Sequence, residues 1–226
     1  MVKKMKIIIN LIWFLFFPAL IILGTIIKEY RIISVVAMIL AIIPFFLKFE
    51  SRSPEANEVV LIAVLTALVV MMRVVFSPFP FFKPVTALII LTALVFGKET
   101  GFLVGALAAL LSNFYFGQGV WTPFQMFAWG FVGYFSGLFK NIDTLKLKFY
   151  LLLVFLGVFG GLAFSLIMDF QTVLFIDNRF NLTRFYAAIL ASSYFTGIHI
   201  LSNIFFLLVF GEIIYRIFVR IKIKYY

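Results

Sequence analysis

No cysteine occurs among the 226 residues, so disulfides, thiolate nucleophiles and cysteine-based metal centres are all excluded. Histidine is nearly absent too: His199 stands alone, with no second histidine or carboxylate at ligand spacing, so no metal is expected. Charged residues are scarce, 12% against roughly 25% in a typical soluble domain. The usual signatures of chemistry are missing as well. Gly97-Lys98-Glu99-Thr100 lacks the Gly-x-x-x-x-Gly-Lys-Ser/Thr shape that cradles nucleotide phosphates. There is no Gly-x-Ser-x-Gly, no His-Glu-x-x-His, and no carboxylate pair inside an apolar run. The chain therefore reads as a non-enzyme without a cofactor, and as one that lacks its own ATP site or an obvious proton or sodium relay.

What is present is apolar: 65% hydrophobic residues and 32 phenylalanines place the chain in the membrane class. The apolar runs are Ile7–Ile27, Ile32–Leu47, Val59–Phe76, Val85–Phe96, Gly101–Phe116, Phe124–Leu138, Phe149–Met168 and about Phe185 to Val219. They predict an all-α, polytopic membrane protein of eight helices, the last run including a short outer segment before the true span. The first run resembles a signal peptide, but it is long enough to span and no Ala-x-Ala site follows it, so it reads as a retained helix. The hydrophilic stretch at residues 48–58 is the one clear linker. It separates an N-terminal helix pair at residues 1–47 from a six-helix core at residues 59–226.

The net charge of +10 could suggest nucleic acid, but the basic residues sit between apolar runs rather than on one face, so no nucleic-acid partner is expected. They read as topology signals in a lipid bilayer. Lys3, Lys4, Lys6, Lys48, Arg52, Lys98, Lys140, Lys146, Lys148, Arg216, Arg220, Lys222 and Lys224 fall on one side; Lys28, Arg31, Arg73, Lys83, Arg179 and Arg184 fall on the other. The excess predicts a plasma-membrane protein with both termini cytoplasmic, and with the loops 77–84 and 116–123 outside.

One span is short. Val85–Phe96 rises only ~18 Å as a helix, against a hydrocarbon core of roughly 30 Å. The preceding Ser-Pro-Phe-Pro-Phe-Phe-Lys-Pro cannot be regular helix. Phe81 and Phe82 in it are either aromatic anchors at the interface or the lid of a pocket.

Between Glu99 and Lys140 no charge occurs, yet Ser112, Asn113, Tyr115, Gln118, Trp121, Thr122, Gln125 and Trp129 crowd the middle of that stretch. Neutral hydrogen-bonding and aromatic groups at one membrane level suit a pocket for an uncharged or bulky solute. The expected solute contacts are Asn113, Gln118, Trp121, Gln125, Trp129 and His199, with Asn203 one turn beyond His199 on the same face. Asn113 could equally clasp two helices, and His199 could be a satisfied structural residue. Asp169, directly after an apolar run, is a further candidate. Gly97, Gly101, Gly105, Ala109 and Asn113 recur every four residues, as do Gly133 and Gly137, and Gly157, Gly161 and Ser165; such small-residue stripes let helices approach closely in lipid. Ala63 and Ala67 form another such pair, suited to packing either within the chain or against a partner.

Val59 to Tyr226 resembles the substrate-binding S component of an energy-coupling factor (ECF) vitamin transporter. The resemblance runs through Ala63-x-x-x-Ala67, the Pro/Phe-rich outer loop, Phe96-Gly97-Lys98-Glu99-Thr100-Gly101, Ser112-Asn113, Gly117-Gln118-Gly119-Val120-Trp121-Thr122-Pro123-Phe124-Gln125-Met126 and His199-x-x-x-Asn203 before a basic tail. The Gly-Gln-Gly-x-Trp-Thr-Pro run is similar to one branch of that family, which implies cobalamin or a related corrinoid as solute. The resemblance further implies a membrane T component and two cytoplasmic ATPases as partners. It implies capture of the vitamin from outside, toppling in the bilayer and release inside, with Ala63 and Ala67 facing the T component. The N-terminal pair departs from the six-helix pattern. Two other classes stay open: a membrane enzyme acting on lipid with His199 as base, disfavoured by the lack of a carboxylate partner in the spans, and a structural or assembly protein.

Overall fold

A computed structural model describes residues 29–51, 53–140 and 146–225. The run Ile7–Ile27, expected to be the first helix, lies outside them. Seven helices follow in order: α1 Tyr30–Glu50, α2 Ala56–Val75, α3 Val85–Phe96, α4 Lys98–Phe116, α5 Thr122–Ser136, α6 Lys146–Asp177 and α7 Leu182–Tyr225. A single 3₁₀ turn, Gly137–Phe139, ends α5. Among the described residues there is no strand. Four helices, α1, α2, α4 and α6, are long and apolar enough by themselves to cross a membrane.

The short span is explained by its position. All twelve residues of α3 are buried. A helix that is apolar all round can be enclosed on every side, and α3 is the pillar on which α2, α4, α5, α6 and α7 pack. Its side chains Leu88, Ile89, Ile90, Leu91, Leu94 and Val95 form the middle of the main core with Val104, Val132, Leu153, Leu156 and Leu207. Lys222 Nζ donates to the Val95 carbonyl at 2.9 Å, satisfying a backbone acceptor in the last turn of α3.

The small-residue stripes are used for packing. A Cβ added at Gly101 would strike the Gly133 carbonyl, and one at Gly133 would strike the Gly101 backbone. α4 and α5 thus meet backbone to backbone, the closest approach that glycine permits. Gly157 and Gly161 make room for side chains of α7, Ile204 and Leu207 at the first and Ile200 at the second, pairing α6 with α7.

Three expectations need correction. The run from about Phe185 belongs to one continuous helix of 44 residues, Leu182–Tyr225, with no separate outer segment, and it packs extensively on α6. The run ending at Met168 continues to Asp177, so Asp169 lies inside α6 rather than in a loop; it is buried and accepts a hydrogen bond from Ser192 Oγ at 2.8 Å. The linker is shorter than 48–58: α1 persists to Glu50 and α2 begins at Ala56. Moreover, α1 does not stand off from the rest. Phe45 stacks on Phe102 at 3.6 Å, Ile42 is buried with Phe102 and Ala106, and Lys48 Nζ pairs with Glu99 Oε1 at 2.5 Å.

Candidate functional site

The last turns of α2 and α4 and the first turns of α3 and α5 converge at one end of the bundle, where the polar residues of the core collect. α4 carries Ser112 and Asn113 on the face that continues the Gly101–Gly105 stripe, so the close approach of α5 brings them against Thr122 and Gln125. Asn113 is buried and almost fully hydrogen-bonded. Its Oδ1 accepts from Arg73 Nη1 at 2.8 Å, while Nδ2 donates to Thr122 Oγ1 at 3.0 Å and to Gln125 Oε1 at 2.8 Å. The arginine, a pure donor, fixes which way the amide points. Arg73 Nη1 also donates to Ser112 Oγ, whose own hydrogen goes back to the Ala108 carbonyl.

The loop before α5 is held by the same residues. Thr122 Oγ1 donates to Gln118 Oε1 at 2.9 Å and accepts from the Gly119 backbone N–H at 3.2 Å. Gln118 Nε2 donates to the Leu110 carbonyl at 2.9 Å. Gln118 is therefore committed to shaping the loop. Gln125 engages only its carbonyl among the described residues, which leaves its amide N–H groups for another acceptor.

A second polar chain runs alongside. Trp129 Nε1 donates to Thr86 Oγ1 at 3.2 Å, and Thr86 Oγ1 shares a hydrogen with His199 Nε2 at 3.0 Å. Phe164 stacks on Trp129 with centroids 5.0 Å apart and presents an edge-on contact to His199 at 5.3 Å. The Arg73 guanidinium lies over both the Trp129 ring, at 4.9 Å, and the Phe116 ring, at 4.6 Å. Each such contact contributes about 0.5–2 kcal/mol depending on desolvation. Lys83 Nζ approaches the Phe116 ring as well, at 5.2 Å. Burial pushes the Lys83 ammonium below its ordinary pKa, and the nearby Arg73 charge adds to the shift. All six core helices thus contribute a side chain to one cluster.

Of the residues singled out in the sequence, Asn113, Gln125, Trp129 and His199 are brought together here. The others are placed differently. Trp121 is 40% exposed at the rim and packs over Gly119. Asn203 is buried one turn deeper and donates to the Gly157 carbonyl at 3.1 Å, a clasp between α6 and α7. Phe81 and Phe82 lie on the α7 side: Phe81 contacts Phe195 at 4.5 Å, and Phe82 contacts Phe205 and Phe206. Ser202 Oγ fastens that segment further by donating to the Lys83 carbonyl at 3.1 Å.

Sequence reasoning overlooked Arg73, Thr86, Phe116 and Phe164. Arg73 was available as a signal, being the one charge inside the run Val59–Phe76, and ionisable groups within spans are functional candidates by default. Counting it as a flanking topology charge hid it. The cluster is thus not made of neutral groups alone.

The opposite end of the bundle is unlike this one. A cleft of about 420 Å³ there is lined by Phe149, Tyr150, Glu212, Tyr215, Arg216, Val219 and Arg220. Ala63 and Ala67 lie on an exposed stripe of α2 with Val60, Val64 and Met71.

The model of one protein family, described as the ECF-type riboflavin transporter, S component, matches residues 54–219. Comparisons with curated proteins and with solved structures return no match. The match spans well over half of the chain, from two residues before the start of α2 almost to the end of α7. The chain belongs to this family of S components: it is the substrate-binding membrane subunit of an ECF-type importer and not an enzyme.

Proposed function

We infer, from that membership and from the cluster around Asn113, that the chain captures a vitamin-sized, planar solute at the Arg73–Trp129 end and delivers it through partner subunits. The observation that carries the reading is the convergence of all six core helices on one polar-aromatic cluster. Phe116, 37% exposed, offers ring surface for stacking, Trp129 and Phe164 add aromatic surface to the cluster, and Gln125 keeps unused amide donors. A flavin suits such a site, with a flat heteroaromatic face and carbonyl acceptors at its edge, and the family description names riboflavin. A corrinoid is the second reading, favoured by the run Gly117-Gln118-Gly119-Val120-Trp121-Thr122-Pro123, whose Trp121 is exposed at the rim.

The basic-residue excess supports a plasma-membrane orientation with both termini cytoplasmic, so that this end opens outside. A T component with two cytoplasmic ATPases supplies the energy, since no nucleotide motif occurs in the sequence. We assign the exposed Ala63–Ala67 stripe as the T-component face, where small side chains permit close approach. The N-terminal segment is read as accessory to the 59–226 core, on which α1 packs through Phe45 and Ile42.

The test is a binding titration of the purified full chain in nucleotide-free buffer, reading tryptophan fluorescence against riboflavin and against cobalamin. Saturable quenching by riboflavin, weakened by Gln125→Ala, is expected. Saturation by cobalamin alone would transfer the assignment to the corrinoid reading, and no response to either would refute capture of both classes.

A further inference from the structure

Arg73 is an unusual residue to find near the end of an apolar helix. Only one nitrogen of its fork, Nη1, has an acceptor among the described residues, namely Ser112 and Asn113, both neutral. A guanidinium carries five N–H donors, so most of the fork remains to be used. Among the described residues, no carboxylate lies within ion-pair distance of Arg73 or of Lys83. The acidic residues of the neighbouring helices are elsewhere: Glu58 and Glu99 begin α2 and α4 at the far end, and Asp169 is engaged by Ser192. Yet a second cation has been brought to the same place. Lys83 and Arg73 converge on the one Phe116 ring, at 5.2 and 4.6 Å.

Two partly buried cations side by side repel each other and lose hydration, a cost that a fold retains only when something offsets it. Ring faces offset part of it. A bound anion would offset the rest, by neutralising both charges and taking the open donors in charge-assisted hydrogen bonds. We propose that Arg73 and Lys83 form an anion-recognition subsite, so that the captured solute carries a phosphate ester or carboxylate next to its aromatic portion. This rests on the reading of the cluster as the solute site and narrows its substrate class from neutral to anionic.

The test uses the full-length chain in phosphatidylcholine nanodiscs at low salt. Riboflavin and riboflavin 5′-phosphate, which differ by one phosphate, are titrated by fluorescence. The phosphorylated probe should bind roughly tenfold more tightly or better, and added salt should erode the difference. Arg73→Gln and Lys83→Gln should each collapse the ratio of the two affinities towards unity, whatever loss is common to both probes. Lys83→Gln keeps the experiment decisive if Arg73→Gln fails to fold, because the Lys83 ammonium has no hydrogen-bond acceptor among the described residues. Equal affinities in the unaltered chain, or a ratio unchanged in the variants, would overturn the proposal.

If neither flavin binds, the flavin reading falls but the subsite is still decided by inorganic pyrophosphate. A saturable change in tryptophan fluorescence that both variants abolish supports it, and its absence refutes it. Repeating the titrations in phosphatidylglycerol nanodiscs separates solute from lipid. If that headgroup occupies the site, the phosphate preference will vanish there, and an anionic lipid rather than the solute is the ligand.

Discussion

Arg73 on α2 donates to Asn113 on α4 across forty positions of sequence, at 2.8 Å, and that bond joins the two helices at the end where the polar cluster forms. Because Asn113 also donates to Thr122 and Gln125, one side chain sets the relative positions of α2, α4 and α5.

Replacing Asn113 should therefore damage both binding and stability. Asn113→Ala leaves the acceptors of Thr122 and Gln125 and one arginine N–H without their partner, and each group stranded in a buried place costs about 1–3 kcal/mol. Thermal unfolding in detergent should show a marked drop in Tm along with lost solute affinity. By contrast, Gln125→Ala removes an amide with unused donors and should weaken solute binding with a far smaller change in Tm. Equal Tm losses in the two variants would show that Gln125 is structural.

Trp129→Phe keeps the ring but removes the indole N–H that Thr86 accepts. Loss of one such bond should cost about 1 kcal/mol of stability. The variant should also reduce solute-induced quenching strongly, leaving the response of Trp121 and the N-terminal Trp13. Full retention of the quenching signal would place the solute away from Trp129.

The contact of Gly101 with Gly133 leaves no room for a methyl group. Gly133→Ala should force α4 and α5 apart, at a cost of about 1–3 kcal/mol for overpacking, and displace Asn113 from Gln125. Lower Tm together with lower affinity is the expected result. Gly197, where an added Cβ meets nothing, is the control position: Gly197→Ala should leave both quantities nearly unchanged.

Ala63→Trp and Ala67→Trp place bulk on an exposed stripe of α2, far from the Arg73 end. Solute affinity and Tm should stay close to those of the unaltered chain, while co-purification with the T component and uptake into cells should be lost. Retained partner binding would remove the docking role from this stripe.

The purified chain alone should bind solute without nucleotide but should not accumulate it in liposomes under an ion gradient. Accumulation by the chain alone would contradict the need for partner ATPases.

Much of this molecule is legible in one dimension. Apolar runs bounded by charges mark helices in lipid because every backbone group must be satisfied within its own segment. Four-residue glycine stripes mark close helix pairs, because only small side chains permit backbone approach, and Gly101, Gly133, Gly157 and Gly161 are used in that way. The crowding of Asn113, Gln125 and Trp129 between such helices was visible for the same reason. What sequence could not decide is which polar groups use each other and which remain open. Asn203 and His199 stand on one helical face four residues apart, yet one clasps Gly157 and the other joins Thr86 and Trp129. Arg73 reads as a topology charge until α4 is laid beside α2 and its acceptors among the described residues prove neutral. The shortness of α3 reads as a puzzle until five helices surround it. Hydropathy and periodicity are local properties of the chain, whereas hydrogen-bond partnership and uncompensated charge depend on side chains forty to more than a hundred residues apart, and only the packed structure brings those together.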